Sequence, residues 1–253
     1  MKTPSEKKLL LARGLSKTYR GASHPALEHL DISLEPGEIF GLLGPNGAGK
    51  TTAISLMSSL LAPDSGTVTV CGLDMFTQSR KVRKLIGLVP QDIALYPSLS
   101  ARENLMYFGR LYGMGREELR NSVRESLEMT GLTDRADDRI CTYSGGMKRR
   151  ANLAAGILHG PKVIFLDEPT VGIDAQSRNM ILEKLLILKE KGTAMIYTTH
   201  YMEEAERLCT RAAIMDEGRI VIQGNPPELI RQHPECSSLG EVFLALTGKQ
   251  LRD

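Results

Sequence analysis

The apolar positions of the chain follow two different patterns in its early and later segments. Residues 26–35 and 66–70 are short, partly alternate between apolar and polar positions, and are bounded by Gly or Pro, which is typical of antiparallel strands. Residues 163–166 and 194–197 are instead continuous apolar runs, which indicates strands buried on both faces of a parallel sheet. The pattern therefore predicts an α/β fold with a mostly parallel sheet and an N-terminal antiparallel β subdomain.

Helical periodicity fills much of the sequence between these two groups of strands. Residues 101–112 and 116–129 combine helical spacing of apolar positions with many charges, which predicts an inserted helical subdomain over about residues 92–150. A helix is predicted to start near Met147, and another covers residues 176–191. The segment after residue 225 predicts two short helices.

Composition narrows the classes of protein to which the chain can belong. Its 253 residues, 42% of them hydrophobic, suit one large domain with or without a smaller insertion. The net charge of +2 gives no indication of a nucleic-acid partner, so we expect none. No apolar run reaches the roughly 18 residues that a membrane-spanning helix needs. The four cysteines are far apart in sequence, so we expect reduced cytosolic thiols rather than a metal site or disulfides.

A phosphate-binding loop follows an apolar segment that is typical of a strand end. The loop consists of Gly44, Pro45, Asn46, Gly47, Ala48, Gly49, Lys50 and Thr51, and Thr52 continues it into an apolar helix. This strand–loop–helix context is what the motif requires. Its backbone N–H groups can surround phosphate oxygens, Lys50 can reach the β and γ phosphates, and Thr51 can offer its hydroxyl to Mg²⁺. The sequence therefore predicts a nucleoside triphosphate site.

Polar residues also follow three other apolar runs that are typical of strands. In open α/β sheets, ligands bind at the carboxyl ends of the strands. We therefore expect Asp167 to bind Mg²⁺ opposite Thr51, Glu168 to polarise an attacking water, and His200 to contact the γ phosphate. Gln91 is expected to contact Mg²⁺ or the water, and a solvated loop glutamine is the alternative.

A second helix start suited to an anion is predicted at Ser144, Gly145 and Gly146. Serine is a favoured N-cap, and the glycines leave backbone N–H groups open to an anionic ligand. The alternative is a capped helix that binds nothing.

With these motifs in this order, the chain resembles the ATP-binding subunit of an ATP-binding cassette (ABC) transporter over about residues 9–225. Residues 44–52 resemble the Walker A loop, Gln91 the Q-loop glutamine, residues 163–168 Walker B with its catalytic glutamate, and His200 the switch histidine. The resemblance implies an ATPase domain over residues 1–225 and a short C-terminal helical extension over residues 226–253.

Other positions take their roles from the resemblance alone. Tyr19 stands where the family has an aromatic residue that stacks on adenine, and Asp174 stands at the D-loop aspartate. Residues 143–147 resemble the signature motif Leu-Ser-Gly-Gly-Gln, with Tyr143 and Met147 in place of Leu and Gln. The Ser-Gly-Gly core that supplies the phosphate contacts is unchanged, so we expect retained activity.

The resemblance implies a P-loop NTPase core that binds ATP and Mg²⁺ and hydrolyses ATP to power transport. Two ATP-binding subunits would close head to tail, each ATP lying between Lys50 and Thr51 of one chain and Ser144 to Gly146 of the other. We expect two identical chains, with a heterodimer as the alternative. A separate transmembrane permease subunit would hold the protein on the inner face of the cell membrane, so we expect it to be cytoplasmic and peripheral. Tyr96 and Leu99 are candidates for the permease contact.

Within the family, residues 168–174 and 240–248 resemble those of exporter-type cassettes. An importer subunit is the alternative, as is a non-transport ABC ATPase, although the chain lacks the long heptad repeats or the second cassette of that class. An interaction module without turnover is disfavoured by Glu168 and His200. A kinase with a phosphate-binding loop is disfavoured by the signature motif.

Overall fold

Two β-sheets organise residues 8–248, which are the residues described by the computed structural model of this chain. Residues 1–7 of the expected ATPase domain and residues 249–253 of the expected extension lie outside them. The strands are β1 (Leu10–Lys17), β2 (Leu27–Leu34), β3 (Ile39–Leu43), β4 (Ser65–Val70), β5 (Leu73–Asp74), β6 (Ile86–Val89), β7 (Val163–Asp167), β8 (Ala194–Thr199), β9 (Arg211–Asp216) and β10 (Arg219–Gly224). The helices are α1 (Lys50–Met57), α2 (Ser79–Val82), α3 (Ala101–Leu111), α4 (Arg116–Met129), α5 (Gly145–Ile157), α6 (Ala175–Glu190), α7 (Met202–Leu208), α8 (Pro226–Arg231) and α9 (Leu239–Thr247).

The larger sheet has six strands in the order β10-β9-β3-β8-β7-β6. Strands β9, β3, β8, β7 and β6 run parallel, and the edge strand β10 pairs antiparallel with β9. Strands β3, β7 and β8 are buried along their whole length, as expected where other layers cover both faces of a sheet. Because β3, β8, β7 and β6 are consecutive neighbours, the four loops that follow them leave the sheet side by side at one edge.

The smaller sheet is antiparallel and has the order β2-β1-β4-β5. Its apolar side chains pack with α1 and one face of the larger sheet in a hydrophobic core that includes Leu10, Leu30, Phe40 and Val68. A second core fills the opposite face of the larger sheet, where α5, α6, α7 and α9 contribute Leu153, Leu185, Leu208 and Phe243. The larger sheet is therefore the middle layer, which explains the continuous apolar runs of its strands.

Helices α3, α4 and α5 enclose a third hydrophobic core, which includes Leu105, Val123, Leu127 and Ala154. Helix α3 begins at a capping box, in which the Ser100 side chain accepts the N–H of Glu103 while the Glu103 carboxylate accepts the N–H of Ser100. This subdomain contacts the sheet through α5, so α5 belongs to two of the cores.

The predicted fold class is confirmed, with the parallel sheet, the antiparallel sheet and the helical subdomain all present. The predicted strand and helix bounds differ from those in the structure by at most two residues. The helix expected to start near Met147 begins two residues earlier, at Gly145, because the Ser144 hydroxyl accepts the N–H of Met147 and so acts as the N-cap. Helices α8 and α9 lie where two short helices were expected.

Candidate functional site

The phosphate-binding loop connects β3 to α1, as its sequence predicts. Gly47 and Gly49 have φ angles of 84° and 99°, in the region that favours glycine. A Cβ at Gly49 would also lie 2.6 Å from the carbonyl oxygen of Ala26, so no other residue fits there without a shift. The loop therefore keeps its curved backbone through glycine, and the N-terminus of α1 faces the space inside the curve.

Lys50 folds back over this loop. Its Nζ donates to the carbonyl oxygens of Gly44 at 2.8 Å and Pro45 at 3.1 Å. Burial lowers the pKa of Lys50, while the nearby Glu168 and, less strongly, Asp167 act in the opposite direction. The lysine is thus a partly desolvated cation, which is a favourable arrangement for binding an anion.

The carboxylate of Glu168 is the point at which three other site residues converge. Its Oε1 lies 3.5 Å from Nζ of Lys50, and its Oε2 lies 3.3 Å from Nδ1 of His200 and 3.5 Å from Nε2 of Gln91. The backbone of Glu168 has a φ of 44°, which is uncommon for a residue with a side chain. Its N–H donates to the Thr198 hydroxyl at 2.9 Å, which fixes the start of the turn. A strained residue of this kind, oriented by its neighbours, is typical of a functional site.

Nδ1 of His200 is buried and has no hydrogen bond, because its approach to Glu168 does not have hydrogen-bond geometry. A buried nitrogen without a hydrogen bond is uncommon, and it is typical of a site that a ligand completes. The structure thus places His200 at the same sheet edge as the phosphate-binding loop, where the sequence predicted it.

The residues expected to hold Mg²⁺ are Thr51, Gln91 and Asp167. Asp167 is buried, and its Oδ1 accepts a hydrogen bond of 2.7 Å from the Thr198 hydroxyl, which fixes its orientation at the end of β7. Hydroxyl, amide and carboxylate oxygens are the donors that Mg²⁺ prefers, and this ion commonly uses one or two protein ligands together with phosphate oxygens. Within residues 8–248, no group of three or more acidic, His or Cys side chains forms a cage that would hold a metal by itself. The donor set therefore fits Mg²⁺ bound together with a nucleotide.

One pocket of about 300 Å³ lies between the phosphate-binding loop, Gln91 and Glu168. It is lined by Ala26, Asn46, Gly47, Ala48, Gly49, Lys50, Thr51, Thr52, Gln91 and Glu168. The half-exposed Tyr19 lies beside it, with its hydroxyl 3.2 Å from Oγ1 of Thr52. The ring is thus available at the edge of the loop.

Ser144, Gly145, Gly146 and Asp174 form a second group, which is not among the residues that line this pocket. Ser144 and Asp174 are the N-caps of α5 and α6, and Oδ1 of Asp174 accepts the N–H of Ser177 at 2.9 Å. The two helix starts are in close contact, since a Cβ at Gly146 would lie 2.1 Å from Oγ of Ser177. Ser144 and Gly145 are exposed. The predicted site residues therefore fall into two separate groups on one chain.

The structure also shows polar residues that sequence reasoning missed. Arg149 donates to the carbonyl oxygen of Gln91, and Asn152 donates to that of Pro90 at 3.1 Å. These two α5 side chains attach the loop after β6 to the helical subdomain. Thr198, which orients Asp167 and Glu168, was also missed. In the sequence these residues are ordinary members of a basic helix and an apolar strand, so no local signal distinguishes them.

Comparisons with known proteins identify the family of the chain. A family model described as ABC transporter matches residues 27–171. The linearmycin resistance ATP-binding protein LnrL of Bacillus subtilis (strain 168) is 48% identical over 240 residues, which are 94% of this chain and 75% of that protein. The Nod factor export ATP-binding protein I of Paraburkholderia xenovorans (strain LB400) is 44% identical over 217 residues, which are 86% of this chain and 71% of that protein.

Solved structures give the same result. The structure of an ATP-binding subunit of an ABC transporter superposes with a TM-score of 0.85 at 28% identity, and covers 94% of this chain and 99% of that one. A dimeric, post-hydrolysis structure of the ATP-binding cassette MJ0796, bound to ADP and phosphate, superposes with a TM-score of 0.77 at 25% identity, and covers 85% of this chain and 98% of that one. No helix within residues 8–248 has both the length and the apolar character needed to cross a bilayer.

Proposed function

Because this chain belongs to the ABC transporter family as an ATP-binding subunit, we propose that it hydrolyses ATP to drive export through a separate membrane-spanning permease. Its similarity to a resistance protein and to an export protein supports the direction of transport. The observation that carries the proposal is the convergence of Lys50, Gln91 and His200 on Glu168, all within 3.5 Å of its carboxylate.

In the proposed site, the loop N–H groups and Lys50 bind the phosphates of ATP, and Tyr19 stacks on the adenine. Thr51, Asp167 and Gln91 hold Mg²⁺, which when bound neutralises charge on the phosphate oxygens. Each of these residues lies at the carboxyl edge of the larger sheet or beside the loop that follows β3.

Glu168 is the proposed general base. Its carboxylate would accept a proton from the attacking water, and Gln91 would help to orient that water. His200 would contact the γ phosphate. The close approach of Lys50 supports this assignment, since it places the proposed base next to the residue proposed to bind the phosphates.

The second group of residues has a place in a head-to-tail dimer. Ser144, Gly145 and Gly146 would bind the γ phosphate held by the partner subunit, using the positive end of the α5 dipole, and Asp174 would lie beside them. The exposure of Ser144 and Gly145 supports this role, because exposed N–H groups at a helix start remain available to an anion. Hydrolysis removes the shared charge, so the dimer would then open.

The permease is proposed to bind where the loop after β6 meets α3. Tyr96 and Tyr107 are 47% and 39% exposed, and their rings meet edge to face with centroids 5.2 Å apart. Leu99 is half-buried, so Tyr96 offers the larger contact surface of the two residues expected there. Exposed aromatic residues are enriched at interfaces, and this contact would hold the subunit on the cytoplasmic face of the membrane.

Complementation between two inactive variants tests the composite site. One chain carries Lys50→Ala, the other carries Ser144→Arg, and each also carries Glu168→Gln so that bound ATP is not consumed. In a head-to-tail dimer, a mixture of the two chains retains one site in which Lys50 and Ser144 are both intact. We expect the mixture to dimerise when ATP is added, and neither chain to dimerise with ATP alone. Size-exclusion chromatography with light scattering measures the mass of each sample.

The matched control is a mixture of two differently tagged Lys50→Ala chains, which retains no intact site. If Ser144→Arg alone dimerises with ATP as well as its parent does, or if the complementing mixture stays monomeric, the composite site is wrong.

A further inference from the structure

A buried acidic side chain connects the segments that carry Glu168 and His200. Glu204, in α7, is only 4% exposed. Its Oε2 accepts hydrogen bonds from the hydroxyl groups of Tyr197 at 2.6 Å, Thr170 at 3.0 Å and Thr199 at 3.0 Å. Three hydrogen bonds use the full acceptor capacity of this oxygen. Two of the donors are in β8, and the third, Thr170, follows β7.

Two of these donors lie within two residues of a proposed catalytic residue in sequence. Thr199 immediately precedes His200, and Thr170 is two residues after Glu168. The Thr199 hydroxyl also accepts the N–H of Tyr201 at 2.9 Å, so it contacts the backbone on the far side of His200. The Glu204 carboxyl group therefore fixes the turn of each catalytic residue relative to the other.

The other oxygen of Glu204 is connected to His200 through two intervening side chains. Its Oε1 lies 3.4 Å from Nε of Arg178, which is in α6. The Arg178 guanidinium lies 4.6 Å from the centroid of the Tyr201 ring, and that ring is 4.2 Å from the ring of His200. Cation–π contacts at this distance are attractive. Arg178 and Tyr201 therefore support the ring of His200.

Burying the Glu204 carboxyl group is energetically unfavourable, so a functional reason for its position is expected. A buried carboxyl group needs several hydrogen bonds to offset its lost hydration, whereas an apolar side chain would pack α7 against β8 without that demand. Burial, with the added effect of Glu204, raises the pKa of Tyr197 well above its usual range, so this phenol remains a donor. The hydrogen bonds of this cluster fix the positions of its donors relative to one another.

We propose that Glu204 is a positioning residue for ATP hydrolysis, which holds His200 in place against Glu168 by bonding the segments that carry them. The inference rests on the proposed roles of those two residues. The hydrogen-bond and ion-pair partners of Glu204 include neither the phosphate-binding loop nor any residue that lines its pocket. Its loss should therefore affect turnover rather than nucleotide affinity.

The variant Glu204→Gln tests this, because an amide of nearly the same size has one acceptor oxygen instead of two. We expect kcat for phosphate release to fall by about tenfold to hundredfold, as misplaced catalytic groups do, with KM for ATP within about twofold of the parent. Glu203→Gln is the matched control, since it makes the same change at the preceding, exposed position of α7. It should leave kcat unchanged.

A structural role alone would lower stability without these kinetic effects, so the same change is also made in a His200→Ala background. Groups that act as a unit are not additive, and we expect Glu204→Gln to cause no further fall in kcat there. The imidazole signal of His200 in a ¹H–¹³C NMR spectrum should shift in Glu204→Gln and stay in place in Glu203→Gln. This signal tests positioning even in a preparation that releases no phosphate. A parent protein that releases no phosphate would count against the proposed function and not against the role of Glu204.

Thr170→Val removes one donor with little change of shape, and it replaces Glu204→Gln if that variant does not fold. A parent-like kcat in a folded variant, an equal further loss in the His200→Ala background, or an unmoved His200 signal would each overturn the proposal.

Discussion

Nζ of Lys50 lies 3.5 Å from Oε1 of Glu168, and their side chains are only 6% and 9% exposed. Lys50 belongs to the phosphate-binding loop after β3, and Glu168 follows β7. This contact therefore joins the ends of two strands that are separated by β8 in the larger sheet. It brings the residue proposed to bind phosphate next to the residue proposed to activate water. A triphosphate bound by the loop would therefore meet the lysine and the general base at one point.

Replacing the lysine tests the loop assignment. Lys50→Ala should weaken ATP binding by about 100-fold or more, because it removes a charge-assisted interaction from a desolvated site. Titration calorimetry gives the affinity, and circular dichroism shows whether the chain remains folded. Lys84→Ala is the control, since Lys84 is exposed and outside the pocket. Equal affinities for the two variants would rule out this role of the loop.

Replacing the carboxylate separates binding from turnover. Glu168→Gln keeps the size of the side chain but cannot accept a proton, so we expect ATP binding to persist while turnover slows by about 100-fold to 10,000-fold. Turnover is measured as phosphate release, and binding is measured on the same sample. Glu190→Gln, at an exposed position of α6, should behave like the parent. Near-normal turnover in a Glu168→Gln sample that binds ATP would exclude the general-base role.

The features that the sequence predicts are those encoded in a short stretch. The phosphate-binding loop, the capped start of α5 and the polar ends of β7 and β8 are each local patterns, and each lies where expected. Their meeting at one edge also follows from sequence, because parallel strands end on the same side of a sheet.

Other features depend on the packing of distant segments. Glu203 and Glu204 are identical in type and adjacent, yet the first is exposed and the second accepts three hydroxyl groups. A difference of one helix position decides this, and the acidic pair gives no sign of which residue is buried. The strand order and the separation of Ser144 from the phosphate-binding pocket likewise come from tertiary structure.

Tyr19 offers a test of nucleotide stacking. Tyr19→Ala removes the ring, and we expect ATP affinity to fall by about fivefold to a hundredfold, as the loss of a base-stacking partner does. Tyr19→Phe is the matched variant, because it keeps the ring and loses the contact of its hydroxyl with Thr52. It should bind ATP nearly as well as the parent. If Tyr19→Phe loses as much affinity as Tyr19→Ala, the hydroxyl matters rather than the ring.

Two adjacent glycines test the close contact between α5 and α6. A Cβ at Gly146 would lie 2.1 Å from Oγ and 2.6 Å from Cβ of Ser177, whereas a Cβ at Gly145 would meet nothing closer than 3.8 Å. Gly146→Ala should therefore lower the free energy of unfolding by about 1–3 kcal/mol, as overpacking does, and Gly145→Ala should not. Denaturant unfolding measures both changes. Adding Ser177→Gly should restore much of the loss in Gly146→Ala, and no recovery would mean that another contact causes it.

The thiol of Cys209 predicts a specific dependence of stability on pH. Burial raises the pKa of Cys209 from 9.0 to about 12. Between these values the unfolded chain has lost a proton that the folded chain still binds, so the free energy of unfolding falls as pH rises. The contribution of the neutral thiol is fully present below pH 9 and is lost progressively towards pH 12.

Cys209→Ala removes this proton from the comparison, although it also costs some packing at every pH. The stability difference between parent and variant should therefore shrink by about 2 kcal/mol between pH 8 and pH 10.5, measured by denaturant unfolding under reducing conditions. Ile214→Val is the control, because this residue of β9 belongs to the same core, and its truncation should cost about 1 kcal/mol at both pH values. A constant difference for Cys209→Ala across this range would mean that the thiol ionises equally readily in the folded and unfolded chains.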